Sequence, residues 1–174
     1  MNNNTFIHKY IKPLISKEDI VIDMTAGNGN DTLFLANLAK QVYAFDISDK
    51  AIENTKEKVK DFNNVILIKD NHINVDKYVS SNVKLAIFNL GYLPGDNEEI
   101  TTKANETLIA FKKAYELLMN DGYLVITFYL RQNGGLDEYY LLDDYIKKNR
   151  LQIIETYRQD KVLSPITYII RKLI

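Results

Sequence analysis

The sequence predicts an α/β fold: a doubly wound, mainly parallel seven-stranded sheet with a C-terminal antiparallel hairpin. Three observations predict it. Short apolar runs alternate with amphipathic stretches from residue 19 onward, as strands do when helices cover both faces of a sheet. A glycine-rich turn, Gly27-Asn28-Gly29, sits between the first apolar run and the helical pattern that follows it. The last two apolar runs have no helical stretch between them, so they pair as a hairpin at one edge.

The elements follow in order. Phe6 to Ile15 reads as a short helix ending near Pro13, and Asp19 to Met24 as the first strand. Asp31 to Ala39 carries Leu33, Phe34 and Leu38 at helical spacing. Val42 to Phe45 is a second strand ending at Asp46, and Lys50 to Val59 a charged surface helix. Val65 to Ile68 and Val83 to Phe88 are the third and fourth strands. Thr101 to Met119 is a long amphipathic helix with Leu108, Phe111, Ala114, Tyr115 and Leu118 on one side. Asn120-Asp121-Gly122 is expected to stop it and turn the chain into a fifth strand, Tyr123 to Tyr129. Glu138 to Lys148 is a helix, and Leu151 to Tyr157 and Ile166 to Arg171 close the chain around Ser164-Pro165.

The 174 residues suffice for one domain over residues 1–174 with a real core. With no cysteine, disulfides, thiolate metal sites and cysteine nucleophiles are excluded. No basic segment followed by an apolar run opens the chain, and no apolar stretch has the length of a membrane span, so a cytoplasmic protein is expected. A net charge of -1 argues against coating long nucleic acid and is compatible with a local basic patch gripping one small RNA.

Candidate chemistry lies in the loops after the strands. Asp23-x-Thr25-x-Gly27-x-Gly29 permits close backbone approach of a cofactor over the first strand. Thr25 stands where a dinucleotide fingerprint has its first glycine, and no Gly-Lys-Ser/Thr follows, which excludes a Walker loop. Asn28 and Asn30 tolerate left-handed conformations and offer amides; Asp31 is expected to cap the next helix or to bind an amino group. Asp46, 19 positions after Gly27 at a strand end, suits both hydroxyls of an adenosyl ribose, with Ile47 and Ser48 beside it. Asn71 and His72, after the third strand, are expected near an adenine ring. Each has a plain alternative: a tight turn, a helix cap for Asp46, a structural histidine.

Asn89-Leu90-Gly91-Tyr92-Leu93-Pro94 follows the fourth strand. It resembles the Asn-Pro-Pro-Tyr loop of amino-directed nucleic-acid methyltransferases. By that resemblance Asn89 accepts a hydrogen bond from the target amine and Tyr92 stacks on the base. No Ser/His/Asp set, paired-carboxylate site or metal cluster competes for the crevice, and no metal is expected.

Asp23 to Ala36, Phe45-Asp46-Ile47 and Ile87 to Pro94 together are similar to the YtqB/MnmM family of Rossmann-like class I methyltransferases, long labelled rRNA methylases. The resemblance implies S-adenosylmethionine as cofactor, the tRNA anticodon arm as partner, and methylation of the exocyclic amine of 5-aminomethyl-2-thiouridine at the wobble position. Two regions differ from the family pattern: Tyr129 to Glu138, which lacks a Gly-His pair, and Gln159 to Pro165. The alternatives are an rRNA or small-molecule methyltransferase on the same scaffold, or a cofactor-binding protein without catalysis. Lys9, Lys12, Lys147, Lys148, Arg150, Arg158 and Lys161 are candidate RNA contacts, and a homodimer is expected from the low net charge and apolar terminal strands.

Overall fold

The computed structural model describes residues 1–80, 82–91, 104–159 and 161–174. Helix α1 (Asn3–Ile11) is capped by the Asn2 side chain, which accepts from the Thr5 amide at 2.8 Å. It continues as a 3-10 turn, Lys12–Leu14, because Pro13 has no amide hydrogen for an α-helical bond. Thus the expected first helix begins three residues earlier and changes form at Pro13. Strand β1 (Ile20–Asp23) leads to α2 (Asn30–Ala36), β2 (Gln41–Asp46) to α3 (Asp49–Lys58), and β3 (Val65–Lys69) to a 3-10 helix, His72–Lys77, that was not expected. Strand β4 (Val83–Asn89), α4 (Ala104–Leu117), β5 (Leu118–Phe128), α5 (Gly135–Lys148), β6 (Gln152–Arg158) and β7 (Ile166–Arg171) complete the order.

The seven strands are ordered β3-β2-β1-β4-β5-β7-β6, parallel except for β7. Strand order reverses between β1 and β4, which opens a crevice at the carboxyl ends of those strands. The C-terminal hairpin is present, and β7 is inserted between β5 and β6. Its apolar residues are therefore consumed inside the sheet rather than offered to a second chain: Ile169 and Ile170 are fully buried.

The expected turn at Asn120-Asp121-Gly122 is a distortion within β5. Val83 pairs with Leu118 and Leu85 with Tyr123, so residues 119–122 bulge against β4. Asp121 takes a positive φ of 61°, and the Asp121 amide and Gly122 carbonyl still pair with Lys172 beyond β7.

Side chains alternate across the sheet. Leu85, Ile87 and Val125 face α1 and α2, packing with Ile7, Ile11 and Leu35. Ala86, Phe88, Leu124, Ile126 and Phe128 face the other way, against Phe111 of α4 and Leu142 and Ile146 of α5. Strands buried on both faces explain the near-continuous apolar runs of β4 and β5. The core thus holds the carboxyl ends of β1, β2, β4 and β5 in one plane, and the candidate site stands on that rim.

Candidate active site

The β1–α2 loop is locked to its neighbours by its own backbone. The Met24 amide donates to Ile87 O (2.9 Å) and the Ala26 amide to Phe45 O (2.8 Å), so the loop prolongs β1 between β4 and β2. Gly27 and Gly29 have φ of 53° and 76°. A Cβ on Gly29 would lie 2.8 Å from the Thr55 Cα of α3, so glycine is required there by conformation and by space. Helix α3 braces the loop: Thr55 Oγ1 donates to Gly27 O at 3.2 Å and Asn54 Nδ2 to Asn28 Oδ1 at 3.1 Å, and Lys58 Nζ bonds Asn30 Oδ1. The side chains of Asn28 and Asn30 are thereby turned toward α3, which leaves backbone of this segment for a ligand.

Asp46 ends β2. Its Oδ2 accepts from the Gly27 amide (2.9 Å) and its Oδ1 from the Ser48 amide (3.0 Å). The cap of α3 is Ser48, whose hydroxyl accepts from the Ala51 amide, so Asp46 does not serve as that cap. Ile47, next to it, is 46% exposed, an apolar side chain left at the rim of the crevice. After β3, Asn71 caps the 3-10 helix and donates to Glu106 Oε2 at 3.2 Å. His72 is buried with Nδ1 2.9 Å from Met24 O. Burial depresses its pKa, so the neutral ring donates from Nδ1 to that carbonyl. The histidine tethers the β3 loop to the β1 loop.

Asp23 is fully buried at the end of β1. It accepts from the Thr32 hydroxyl (2.6 Å) and the Thr25 amide (3.1 Å). Burial and then the negative charge of Asp31 push its pKa up, against the pull of those two bonds. Thr25 has a use that glycine lacks: its hydroxyl accepts from the Asn89 backbone amide at 2.8 Å and joins the β1–α2 loop to the β4 loop.

Asp31 was expected to cap α2. That position belongs to Gly29, and Asp31 lies buried in the first helical turn. Its Oδ1 is 2.6 Å from His8 Nε2, and its Oδ2 accepts from Asn89 Nδ2 at 3.2 Å. Asn89 Oδ1 is buried with no hydrogen-bond partner among the described residues. Gly91 packs beside Tyr129 and Gln132. The Tyr129 pKa is raised, first by burial and then by Asp31, with the Asn89 amide pulling it back, so the phenol stays neutral against Asn89. Tyr92, the expected stacking residue, lies outside the described residues.

Sequence reading missed His8 and Asn4, because no motif marks an N-terminal helix that folds back over the crevice. It also missed Glu138 as a buried acid. Glu138 accepts from Thr107 Oγ1 at 2.8 Å, and burial pushes its pKa up to about 7. The candidate RNA-contacting bases do not gather. Strand register puts Lys12, Lys147, Lys148 and Arg150 at the opposite end of the sheet from Asn89, and Lys147 and Lys148 pair with Asp143 and Asp144. Arg158, Lys161 and Arg131 stand at the carboxyl end, where Arg131 donates to Val162 O at 3.0 Å. Among the described residues no group of three His, Cys, Asp or Glu side chains forms a potential metal site.

A model of the family described as "Putative rRNA methylase" matches residues 42–170. The chain belongs to this family. It is 38% identical to a "putative rRNA-methylase" from Clostridium thermocellum over 99% of this chain and 98% of the other, with a TM-score of 0.91. It is 36% identical, over 99% of each chain and with a TM-score of 0.90, to a "putative methyltransferase" from Streptococcus mutans solved with S-adenosylhomocysteine (SAH). A chloroplastic tRNA (mnm(5)s(2)U34)-methyltransferase from Arabidopsis thaliana is 37% identical over 75% of this chain and 54% of its own length, so the chain spans about half of that curated relative. The fold is therefore that of the class I methyltransferases. The SAH of the Streptococcus mutans structure is the product form of S-adenosylmethionine. The donor set fits it: an Asp46 carboxylate for ribose hydroxyls, an exposed apolar Ile47 for a flat ring, and glycines whose backbone a ligand can approach. No helix among the described residues is long and apolar enough to cross a membrane.

Proposed function

We propose that this chain is an S-adenosylmethionine-dependent methyltransferase acting on the exocyclic amine of 5-aminomethyl-(2-thio)uridine at the tRNA wobble position. The observation that carries the reading is Asn89 Oδ1, a buried acceptor without a partner among the described residues, at the carboxyl end of β4 beside the strand-order switch. An unsatisfied buried carbonyl is rare in a native protein and points to a donor that arrives with a ligand. An amine supplies that donor. The likeness to the Arabidopsis tRNA methyltransferase supports the substrate class.

In this reading Asp46 holds the adenosyl ribose, Ile47 and Ser48 border the adenine, and the backbone of Gly27, Asn28 and Asn30 lines the cofactor's path. Asp31 faces the amino group of its methionine moiety, and Asn71 and His72 close the adenine side. The cofactor supplies an activated methyl group on a sulfonium centre. Asn89 Oδ1 accepts one N–H of the substrate amine and directs the nitrogen lone pair toward that methyl. Positioning of this kind supplies much of the rate of a displacement reaction. Tyr92 stacks on the uracil ring. Arg131, Arg158 and Lys161 face the anticodon arm, in the cytoplasmic compartment where the chain would meet it.

The test is methyl transfer from labelled S-adenosylmethionine to tRNA taken from cells that accumulate the 5-aminomethyl precursor, read by nucleoside mass spectrometry. One methyl on that amine is expected. No transfer to this tRNA, with transfer to ribosomal RNA instead, overturns the substrate. A second reading, a small-molecule amine methyltransferase, is favoured by one observation: four of the seven candidate RNA-binding bases lie at the wrong end of the sheet. Saturable transfer to a free amine nucleoside, unimproved by tRNA, would establish it.

A further inference from the structure

Helix α1 lies outside the matched segment 42–170, yet it reaches the candidate site. Its first turn is pinned over the carboxyl end of β5 and the amino end of the antiparallel β7, where Asn3 Nδ2 donates to Thr167 Oγ1 at 2.8 Å. One turn later His8 lies flat on Phe34 of α2, with ring centroids 3.9 Å apart and planes 3° from parallel. This stacking leaves His8 Nε2 2.6 Å from Asp31 Oδ1. Since a carboxylate only accepts, Nε2 must carry the hydrogen.

The second oxygen of the same carboxylate decides how Asn89 sits. An amide side chain can turn over and exchange its oxygen and nitrogen, and only its partners choose between the two. Here Asp31 Oδ2 lies 3.2 Å and Asn4 Oδ1 3.5 Å from one end of the amide. A carbonyl placed there would face a carboxylate, so the NH2 must occupy that end. Asn89 Oδ1 is thereby fixed on the other side, where it is buried without a partner among the described residues.

We propose that His8 and Asp31 are positioning residues for the substrate amine: His8 holds Asp31, and Asp31 holds Asn89 with its carbonyl oxygen turned toward the incoming N–H. This rests on the reading of Asn89 as the amine acceptor. Without the lock, Asn89 populates a second orientation that presents donors to a donor, and only the correct fraction of enzyme is competent. Helix α1 is then part of the active site rather than a cover for the sheet.

Two variants separate this role from a structural one. His8→Phe keeps an aromatic ring on Phe34 and removes the N–H, whereas His8→Gln returns an N–H at similar reach. Measured on tRNA carrying the 5-aminomethyl precursor, H8F is expected to lower kcat about tenfold, with a clearly smaller loss of cofactor affinity through Asp31 and Tm unchanged. H8Q is expected to restore most of the loss. Wild-type kcat in H8F, or parallel losses of kcat, cofactor affinity and Tm that H8Q does not rescue, would overturn the proposal. If the wild-type protein transfers nothing to this tRNA, the methylation reading fails by itself, and the lock is read without substrate. The Asn89 side-chain amide, assigned in 15N NMR by its loss in N89A, should exchange with solvent about tenfold faster in H8F and Asp31→Ala than in wild type. Equal exchange rates would overturn the lock.

Discussion

The loops after β1 and β2 are braced against each other largely by groups near them in the chain. Gly27, Asp46, Ser48 and Thr55 lie within 29 positions and bond each other through backbone amides and short side chains. The loop after β4 is held from afar: Asn89 donates from its backbone amide to Thr25 Oγ1 and from its side-chain NH2 to Asp31 and Asn4, at separations of 64, 58 and 85 residues. In the proposed reading the first arrangement is the cofactor cradle, and a short motif can encode it. The second, which in that reading holds the substrate acceptor, forms only after the sheet and α1 have closed around it. Cofactor affinity and turnover should therefore be separable by mutation.

The sharpest break is Asn89→Ala. Removing the acceptor should reduce kcat by roughly 100-fold, the effect of losing one positioned hydrogen-bonding group in an active site. Cofactor Kd by calorimetry should stay near wild type. If N89A loses cofactor binding as well, the two sides are not independent. Asp46→Ala is the converse. Losing charged hydrogen bonds to the ribose should weaken cofactor binding by about tenfold or more, with kcat at saturating cofactor much less affected. Equal losses in kcat and affinity would merge the two regions.

Smaller effects test the frame rather than the chemistry. Gly29→Ala places a Cβ against the backbone of α3 in a left-handed conformation. It should destabilise the fold by about 2 kcal/mol in urea titration and loosen the cofactor cradle. An unchanged midpoint would mean that α3 yields easily. Glu138→Gln probes the substrate side. The Glu138 pKa is raised to about 7 in the folded protein. An acid whose folded pKa is raised favours the folded state below its unfolded pKa. That advantage is lost as pH rises from the ordinary carboxylate range to about 7, because the unfolded chain ionises first. E138Q, which keeps an oxygen for Thr107, should therefore gain on the order of 1 kcal/mol over wild type between pH 5 and pH 8. Parallel stability profiles for the two proteins would show that Glu138 ionises freely.

The same contrast explains what could be read in advance. Strands β2, β3, β4, β6 and β7 were legible because runs such as Val83–Phe88 are short and almost wholly apolar. The glycine-rich loop after β1 was legible because positive φ at Gly27 and Gly29 demands glycine. Sheet closure with β7 antiparallel was legible from the missing helix before it. The fate of Asn120-Asp121-Gly122 was not: these residues favour a turn locally, and pairing with Lys172 across 50 positions keeps them in the ladder. Nor was the use of Thr25, which looked like a defect in a glycine motif until its hydroxyl met the Asn89 amide.

By itself, then, the sequence determined the α/β class, most of the strand and helix succession, and a glycine-rich loop after β1 whose conformation is local, because backbone conformation and side-chain period are properties of short segments. Only the tertiary structure decided that His8 reaches Asp31, that Asp31 orients Asn89, and that the basic residues are split between two ends of the sheet. Those outcomes depend on which distant segments the core brings together. Stacking of His8 on Phe34 and burial of Ile7 and Ile11 under β4 set them, and no local pattern of residues encodes such a meeting.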